Sequence, residues 1–157
     1  MKTEKDWLPY AEWHMDEALR EAKRAEESGE IPVGCVIVWK GNVLASSGNA
    51  VESTGDPTAH AEMLAIREAS GTLGKNLAEC DLFVTVEPCP MCAGAIVNAK
   101  IGRLFIGTEE PKTGACGSLY DIPEDARLNH NPAVYRGIKE EECKKRMAEF
   151  FVGRRKK

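Results

Sequence analysis

The spacing of apolar residues along the 157-residue chain predicts alternating helices and strands. In the first segment, apolar residues recur every three or four positions from Leu8 to Ala25, which indicates an amphipathic helix that ends near Gly29. Two apolar stretches, VGCVIVW and VLASS, then flank Lys40-Gly41-Asn42. This arrangement predicts a β-hairpin whose first strand is largely buried.

The rest of the chain continues this alternation. The further predicted elements, in chain order, are a helix from about Ala59 to Ala69, a buried strand at DLFVTV, a helix within EPCPMCAGAIVNAK, a buried strand at RLFIGT and a closing amphipathic helix marked by Cys143, Met147, Phe150 and Phe151. The order α-β-β-α-β-α-β-α indicates an α/β fold, with a sheet that begins antiparallel, continues parallel and carries helices on both faces. Because no repeat or linker interrupts the pattern, we expect a single domain over residues 1–157.

Composition and charge narrow the class of protein. A hydrophobic content of 43% and a charged content of 29% are ordinary for a globular domain. No apolar stretch approaches the roughly 18–20 residues of a membrane span, and MKTEKDWLPY lacks the apolar core of a secretory signal. We therefore expect a cytoplasmic protein that does not enter a membrane. The net charge of −4 does not indicate a nucleic-acid binder, and the basic end RRKK is more typical of a solvated terminus than of a binding patch.

The six cysteines divide into a pair and four scattered residues. Because no secretory signal is seen, a disulfide framework is not expected. Cys89 and Cys92 form a C-x-x-C pair, which in a cytosolic protein indicates metal binding or redox chemistry. The other four cysteines are expected to pack as small apolar side chains. They are Cys35, Cys80, Cys116 and Cys143.

Polar and metal-binding residues lie at the starts of two predicted helices, where packing in a core does not explain them. His60 lies at the start of the second helix, and Cys89 and Cys92 lie in the first turn of the third. Residues three apart on a helix can face one point, and a helix N-terminus stabilises thiolates. Two thiolates and an imidazole suit Zn²⁺ and leave its fourth position open. Such an open position is typical of a catalytic zinc that carries a water molecule.

Glu62 adds a second kind of chemistry to this predicted metal site. Residues two apart in a regular helix point roughly 200° away from each other. His60 must therefore lie where the chain enters the helix if Glu62 is to reach the same site. A carboxylate beside zinc-bound water can take a proton and pass it to a leaving group, which typically contributes about 10²- to 10⁴-fold in rate. In this interpretation, Met63, Leu64 and Ile66 anchor the helix in the core.

Each residue also has a simpler interpretation. His60 alone could be a helix cap or a core histidine, and the C-x-x-C pair alone could be redox-active. A structural zinc site with three cysteines and one histidine remains open if one of the four scattered cysteines supplies a fourth ligand. Taken together, however, H-A-E and P-C-P-M-C form the signature of zinc-dependent deaminases, in which the glutamate is not a metal ligand.

The chain also resembles the bacterial tRNA-specific adenosine deaminase family, from about Ile31 to Arg155. The shared stretches are IPVGCVIV, DPTAHAEMLAIR, VTVEPCPMCAGAI, KTGACGSL, the pair Asn129-His130 and the closing FF..RR. The resemblance implies a three-layer αβα fold of the cytidine deaminase type with a mixed, roughly five-stranded sheet. It further implies a homodimer with one Zn²⁺ per subunit, which converts the wobble adenosine (position 34) of a tRNA anticodon loop to inosine.

The resemblance also implies a role for each matched residue. His60, Cys89 and Cys92 would hold the zinc, and Glu62 would move a proton from the zinc-bound water to N1 of adenine and then to the departing ammonia. The residues implied to bind substrate are Asn49 at the flipped base, Val33 in the base pocket, and Arg154 and Arg155 at phosphates, with Lys112 as a weaker candidate. Without the resemblance, Asn49 is equally a turn residue, and Val33 is a buried strand residue.

Two positions depart from the family pattern. Glu110 stands where the family usually has Asp near the ribose-phosphate backbone, which leaves substrate placement there open, and Cys35 stands where Ala is common. Relatives that deaminate a free base or a nucleotide, such as guanine or dCMP, share the zinc signature and provide the main alternative. A structural zinc protein that binds RNA is the non-enzymatic alternative. KTGACGSL and FF..RR favour the branch that acts on RNA.

Overall fold

The computed structural model describes residues 4–155, with side chains described from 6 to 154. Within this range the chain forms five helices and five strands. In chain order they are α1 (Glu4–Glu27), β1 (Gly34–Trp39), β2 (Asn42–Gly48), α2 (Val51–Thr54), α3 (Ala61–Leu73), β3 (Cys80–Val86), α4 (Pro90–Asn98), β4 (Arg103–Thr108), β5 (Ala133–Tyr135) and α5 (Glu140–Arg155). No helix among these is long and apolar enough to cross a membrane.

The strands form one mixed sheet in the order β2-β1-β3-β4-β5. Strand β1 pairs antiparallel with both β2 and β3, whereas β3, β4 and β5 run parallel. The β1–β2 hairpin turns through Lys40 and Gly41, whose φ angles of 51° and 80° suit a two-residue turn of type I′. The predicted α/β fold, with an antiparallel start and a parallel continuation, is confirmed.

Helices cover both faces of the sheet because strand side chains alternate between the two faces. One face packs against α3 and α4; its buried residues include Cys35, Ile37, Leu82, Val84, Leu104 and Ile106, with Ala61, Ala65, Ala69, Ala93 and Ile96 from the helices. The other face packs against α1 and the start of α5; its buried residues include Val36, Val38, Phe83 and Phe105, with Ala11, Met15, Ala18 and Cys143 from the helices. The result is a three-layer αβα architecture with two separate hydrophobic clusters.

The packing of α3 differs from the sequence interpretation. Its buried side chains are Ala61, Glu62, Ala65 and Ala69, which recur along the helix face turned to the sheet. Small side chains at this spacing let the helix backbone approach the strands closely. Met63 and Leu64 are only half-buried, so the expectation that they anchor the helix is wrong, and Ile66 packs at the edge of the core.

Two short elements were not predicted. Helix α2 has four residues and β5 has three, which is too few for a hydrophobic period to show. The three residues of β5 add an edge strand beside β4. Helix α2 lies between the hairpin and α3, and a short loop connects it to the histidine of the predicted metal site.

Candidate metal centre and active site

The predicted zinc ligands lie together at the starts of two helices. His60 is the N-cap of α3 and has an extended backbone, with φ −76° and ψ 152°. Cys89 is the N-cap of α4, and Cys92 lies in its first turn. His60 Nδ1 lies 3.6 Å from Cys89 Sγ and 3.5 Å from Cys92 Sγ. The predicted placement of His60 just outside the helix is confirmed, and it removes the angular conflict with Glu62.

The spacing of these three ligand atoms fits a zinc ion. Tetrahedral zinc, with bonds of about 2.3 Å to sulfur and about 2.0–2.1 Å to nitrogen, holds its sulfur and nitrogen ligands about 3.5 Å apart. Within the described residues, the cluster contains only His60, Cys89 and Cys92, and no fourth cysteine joins it. The four scattered cysteines are buried and free, as expected. The alternative of a structural site with four protein ligands is therefore wrong for this part of the chain.

Glu62 lies beside the cluster without being part of it. Its side chain is buried, with 4% of the residue exposed. Burial, with a smaller contribution from the nearby Cys89 thiolate, raises the pKa of Glu62 to about 7 against the opposing effects of a backbone hydrogen bond and of His60. The hydrogen bond with Cys92, followed by that with His60, lowers the pKa of Cys89 to about 4. The site thus combines a thiolate with a buried acid of unusual proton affinity, which is typical of catalytic sites.

A cavity of about 340 Å³ opens in front of the cluster. It lies at the carboxyl end of β3, where open α/β sheets bind ligands. Its lining brings together His60, Glu62 and Cys89 with four of the residues singled out from the sequence, namely Val33, Asn49, Glu110 and Arg154. Lys112 is not among the lining residues, and the side chain of Arg155 lies outside the described ones.

Asn49 connects the cavity wall to the metal-binding helix. Its Oδ1 accepts a hydrogen bond from the Ala61 backbone N–H at 2.8 Å, so it caps α3 directly after His60. This contact fixes which end of the amide faces the helix. The remaining polar group of the side chain is the NH₂ group, which can only donate.

Two buried carboxylates near the cavity were not identified from the sequence. Glu87 follows β3 and accepts hydrogen bonds from three backbone N–H groups and one hydroxyl; the donors are Glu110, Cys116 and Ser118 through their N–H groups, and the Ser118 hydroxyl. Glu30 accepts from the N–H groups of Glu52 and Ser53. An acid directly after a buried strand was a usable signal for Glu87, whereas Glu30 had none.

The Glu87 carboxylate organises the loop between β4 and β5. Burial raises the pKa of Glu87, but the hydrogen bonds from Ser118 and the loop amides outweigh this effect and hold it below its ordinary value. Gly114 leaves room for the carboxylate, since a Cβ there would lie 2.4 Å from it. This contact explains the first glycine of KTGACGSL by steric fit.

Replacing Glu87 by Ala is expected to lower the free energy of unfolding by about 3 kcal/mol, because several buried donors lose their acceptor. Urea denaturation of the two proteins measures the difference. Glu109→Ala is the matched control, since Glu109 is exposed on the same loop and should change stability little. Equal stability of the two variants would contradict the proposed role of Glu87 in the loop.

Comparison with known proteins places this site in a family. Residues 9–108 match the family model described as the cytidine and deoxycytidylate deaminase zinc-binding region. Over 147 residues the chain is 44% identical to the tRNA-specific adenosine deaminase of Bacillus subtilis (strain 168), covering 93% of this chain and 91% of that protein. The chain belongs to the tRNA-specific adenosine deaminase family. Another member, from Aquifex aeolicus (strain VF5), is 43% identical over 89% of this chain and 93% of its own.

Solved structures agree with this family assignment. A structure from a study of A-to-I editing by tRNA:A34 deaminases at the wobble position matches with a TM-score of 0.81 and 44% identity, covering 85% of this chain and 98% of that one. The fold expected from the resemblance is thereby confirmed. A guanine deaminase from Bacillus subtilis is 42% identical, but covers only 60% of this chain and 62% of its own, with a TM-score of 0.58. The adenosine deaminase relatives match almost throughout, whereas this free-base relative does not.

The Asn129-His130 pair of the family pattern lies away from the metal cluster. The ring Nε2 of His130 lies 2.7 Å from the Ile101 carbonyl oxygen, at hydrogen-bond distance. This contact ties the loop before β5 to the residue that precedes β4. The pair therefore supports the fold of the family rather than its metal site.

Proposed function

We propose that this protein is a zinc-dependent hydrolase that deaminates the wobble adenosine (position 34) of a tRNA anticodon loop to inosine. The observation that carries the proposal is the three-ligand cluster beside a buried carboxylate, in a chain that matches tRNA-specific adenosine deaminases over most of its length. A zinc ion bound there would supply a water molecule with a lowered pKa. Because an anticodon-loop base is largely unpaired, moving it into the cavity costs little free energy.

Glu62 is the proposed proton carrier. Its carboxylate lines the cavity next to His60 and Cys89 but is not a metal ligand. From this position it takes one proton from the attacking water and delivers it to N1 of adenine. It then moves the second proton of that water from the new hydroxyl group on C6 to the amino group, so that the C6–N bond breaks and ammonia leaves. The surrounding burial keeps bulk water from competing for these transfers.

The other cavity residues are proposed to bind the nucleotide. Val33 contacts the flipped base, and Asn49 donates a hydrogen bond to an acceptor atom of that base, because its oxygen is already occupied at Ala61. Arg154 lies with its guanidinium 4.9 Å from the centre of the Phe150 ring, and its planar group suits a phosphate contact. Arg155 is proposed to act beside it.

Glu110 is proposed to lie near the ribose-phosphate backbone. Its Oε1 accepts a hydrogen bond from the Lys112 backbone N–H at 3.0 Å, and its own N–H donates to Glu87 at 3.0 Å. The Glu110 side chain is thus held against its own turn, at the cavity wall. This contact supports the proposal that Glu110 takes the place of the usual Asp.

The direct test is an assay with three substrates. Purified protein with zinc is incubated with an anticodon stem-loop carrying adenosine-34, with free guanine and with dCMP, and the products are separated by liquid chromatography. We expect inosine from the stem-loop and neither xanthine nor dUMP. Turnover of guanine or dCMP without inosine would contradict the proposal, and no product from any substrate would favour the non-enzymatic alternative.

We further propose that the protein is a cytoplasmic homodimer built from a single domain over residues 1–157. Support for a protein interface comes from Leu119 and Tyr120, which are 55% and 61% exposed. They follow Ser118, which Glu87 holds in place, so this apolar surface is rigidly attached to the site.

Sedimentation velocity is expected to show a dimer for the unchanged chain and a monomer for Leu119→Glu, because a buried, unpaired charge disfavours association. Trp13→Glu serves as the matched control, since Trp13 is also exposed but lies on α1. A monomeric unchanged chain would contradict the dimer. A dimer that persists in Leu119→Glu would place the interface elsewhere.

A further inference from the structure

Glu30 is a charged residue buried deeply at the edge of the cavity. Only 2% of the residue is exposed, and it follows the turn at Gly29 that ends α1. Its Oε1 accepts a hydrogen bond from the Glu52 N–H at 2.9 Å, and its Oε2 accepts one from the Ser53 N–H at 2.7 Å. Both oxygens therefore hold consecutive amides of a segment more than twenty residues away.

The segment that Glu30 holds is short and largely exposed. Helix α2 has four residues, none of them buried, and its N-cap Ala50 has no side chain that could accept a hydrogen bond. A helix start leaves backbone N–H groups without partners, and here the Glu30 carboxylate provides the acceptors. A helix this short does not persist without such contacts.

The same segment forms one wall of the cavity. Val51 and Glu52 line it together with Asn49, the residue directly before Ala50. Backbone hydrogen bonds from the Asn49 N–H to Val33 and from the Ala50 N–H to Ala59 connect the wall to the residue directly before β1 and to the loop before α3. By holding this wall, Glu30 also helps to fix the position of Asn49, whose side chain caps α3 at Ala61.

We propose that Glu30 is a positioning residue that fixes the cavity wall carrying Asn49, and through it the orientation of the substrate base. The effect of Glu30 on the substrate rests on the proposed function, whereas its role in holding residues 49–54 does not. The charge matters because bonds from N–H groups to a carboxylate are about twice as strong as neutral ones. Burial raises the pKa of Glu30, but the bonds from Glu52 and Ser53 lower it by more, so the carboxylate is ionised at neutral pH.

Glu30→Gln tests the proposal at constant side-chain size. The amide keeps one acceptor oxygen, while its NH₂ group faces a backbone donor, so one of the two bonds is lost. We expect hydrogen exchange at residues 50–54 to become at least about tenfold faster, with α3 and bound zinc unchanged. With the adenosine-34 stem-loop, we expect KM to rise about tenfold and kcat to change less than about threefold.

Asp81→Asn is the matched control. Asp81 also accepts hydrogen bonds from two partners, Tyr10 and Arg103, but it lies at the opposite end of β3. A merely structural role would make the two variants alike, with lower stability and unchanged KM. We expect the rise in KM in Glu30→Gln alone.

Each outcome separates the two proposals. Unchanged exchange at residues 50–54 in Glu30→Gln would overturn the role of Glu30, whatever the substrate. Faster exchange without any rise in KM, in a protein that does deaminate the stem-loop, would overturn the link to the substrate. If the unchanged protein fails to deaminate the stem-loop, the proposed function fails, and the exchange data still decide whether Glu30 holds this wall.

Discussion

Replacing Glu62 by Gln is expected to lower turnover of the adenosine-34 stem-loop by about 10²- to 10⁴-fold while one zinc ion per chain stays bound. Glutamine fills the same volume but cannot carry a proton between the attacking water, the purine ring and the leaving ammonia. Because Glu62 is not part of the three-ligand cluster, its replacement leaves the metal ligands in place.

Single-turnover rates and metal analysis on the same preparation measure both quantities. Glu68→Gln is the control, because Glu68 is an exposed residue of the same helix and should leave turnover unchanged. Loss of zinc in Glu62→Gln would show that the carboxylate helps to bind the metal. Turnover within a few-fold of the unchanged chain would rule out its role as proton carrier.

Replacing Cys89 by Ala is expected to abolish both zinc binding and activity. Two ligands, His60 and Cys92, remain at the starts of different helices, and two are too few for the three-ligand arrangement of a catalytic zinc. A zinc ion held by His60 and the two cysteines would join the starts of α3 and α4, so its loss should remove the stabilisation that a tight ligand provides. That stabilisation is about 4 kcal/mol when the concentration of free zinc is about a thousand times its dissociation constant.

Zinc content and thermal unfolding with and without added zinc test this expectation. Cys80→Ala is the matched control, because Cys80 is a buried cysteine at the start of β3 and should keep its zinc and activity despite some loss of stability. A Cys89→Ala protein that still holds one zinc ion would require another ligand at the site.

Each half of the metal site could be predicted because its geometry depends on local rules, and the combined signature of the two halves indicated that they belong together. The helical period fixes the angle between His60 and Glu62, which forces His60 into the N-cap position, and the spacing of Cys89 and Cys92 places both in one helical turn. The layered fold followed from the alternation of apolar segments in the same way.

The remaining features depend on contacts between distant parts of the chain. Glu30 and Glu87 hold backbone amides more than twenty residues away, and no periodic pattern reveals such pairings. The face of α3 that turns to the sheet was also misjudged, because large side chains such as Met63 are not always the buried ones. The buried positions of α3 that face the sheet are instead occupied by alanines, because the helix packs close to the strands.

The two hydrophobic clusters separate the packing of the metal-binding helices from the packing of the start of α5. Helices α3 and α4, which carry the metal ligands, rest on one face of the sheet, whereas α5, which brings Arg154 to the cavity, begins on the other. We therefore expect substitutions along α5 to change the substrate contacts proposed for Arg154 without disturbing the packing beneath the metal ligands. Such a division would let selection act on those contacts separately from the metal-binding helices.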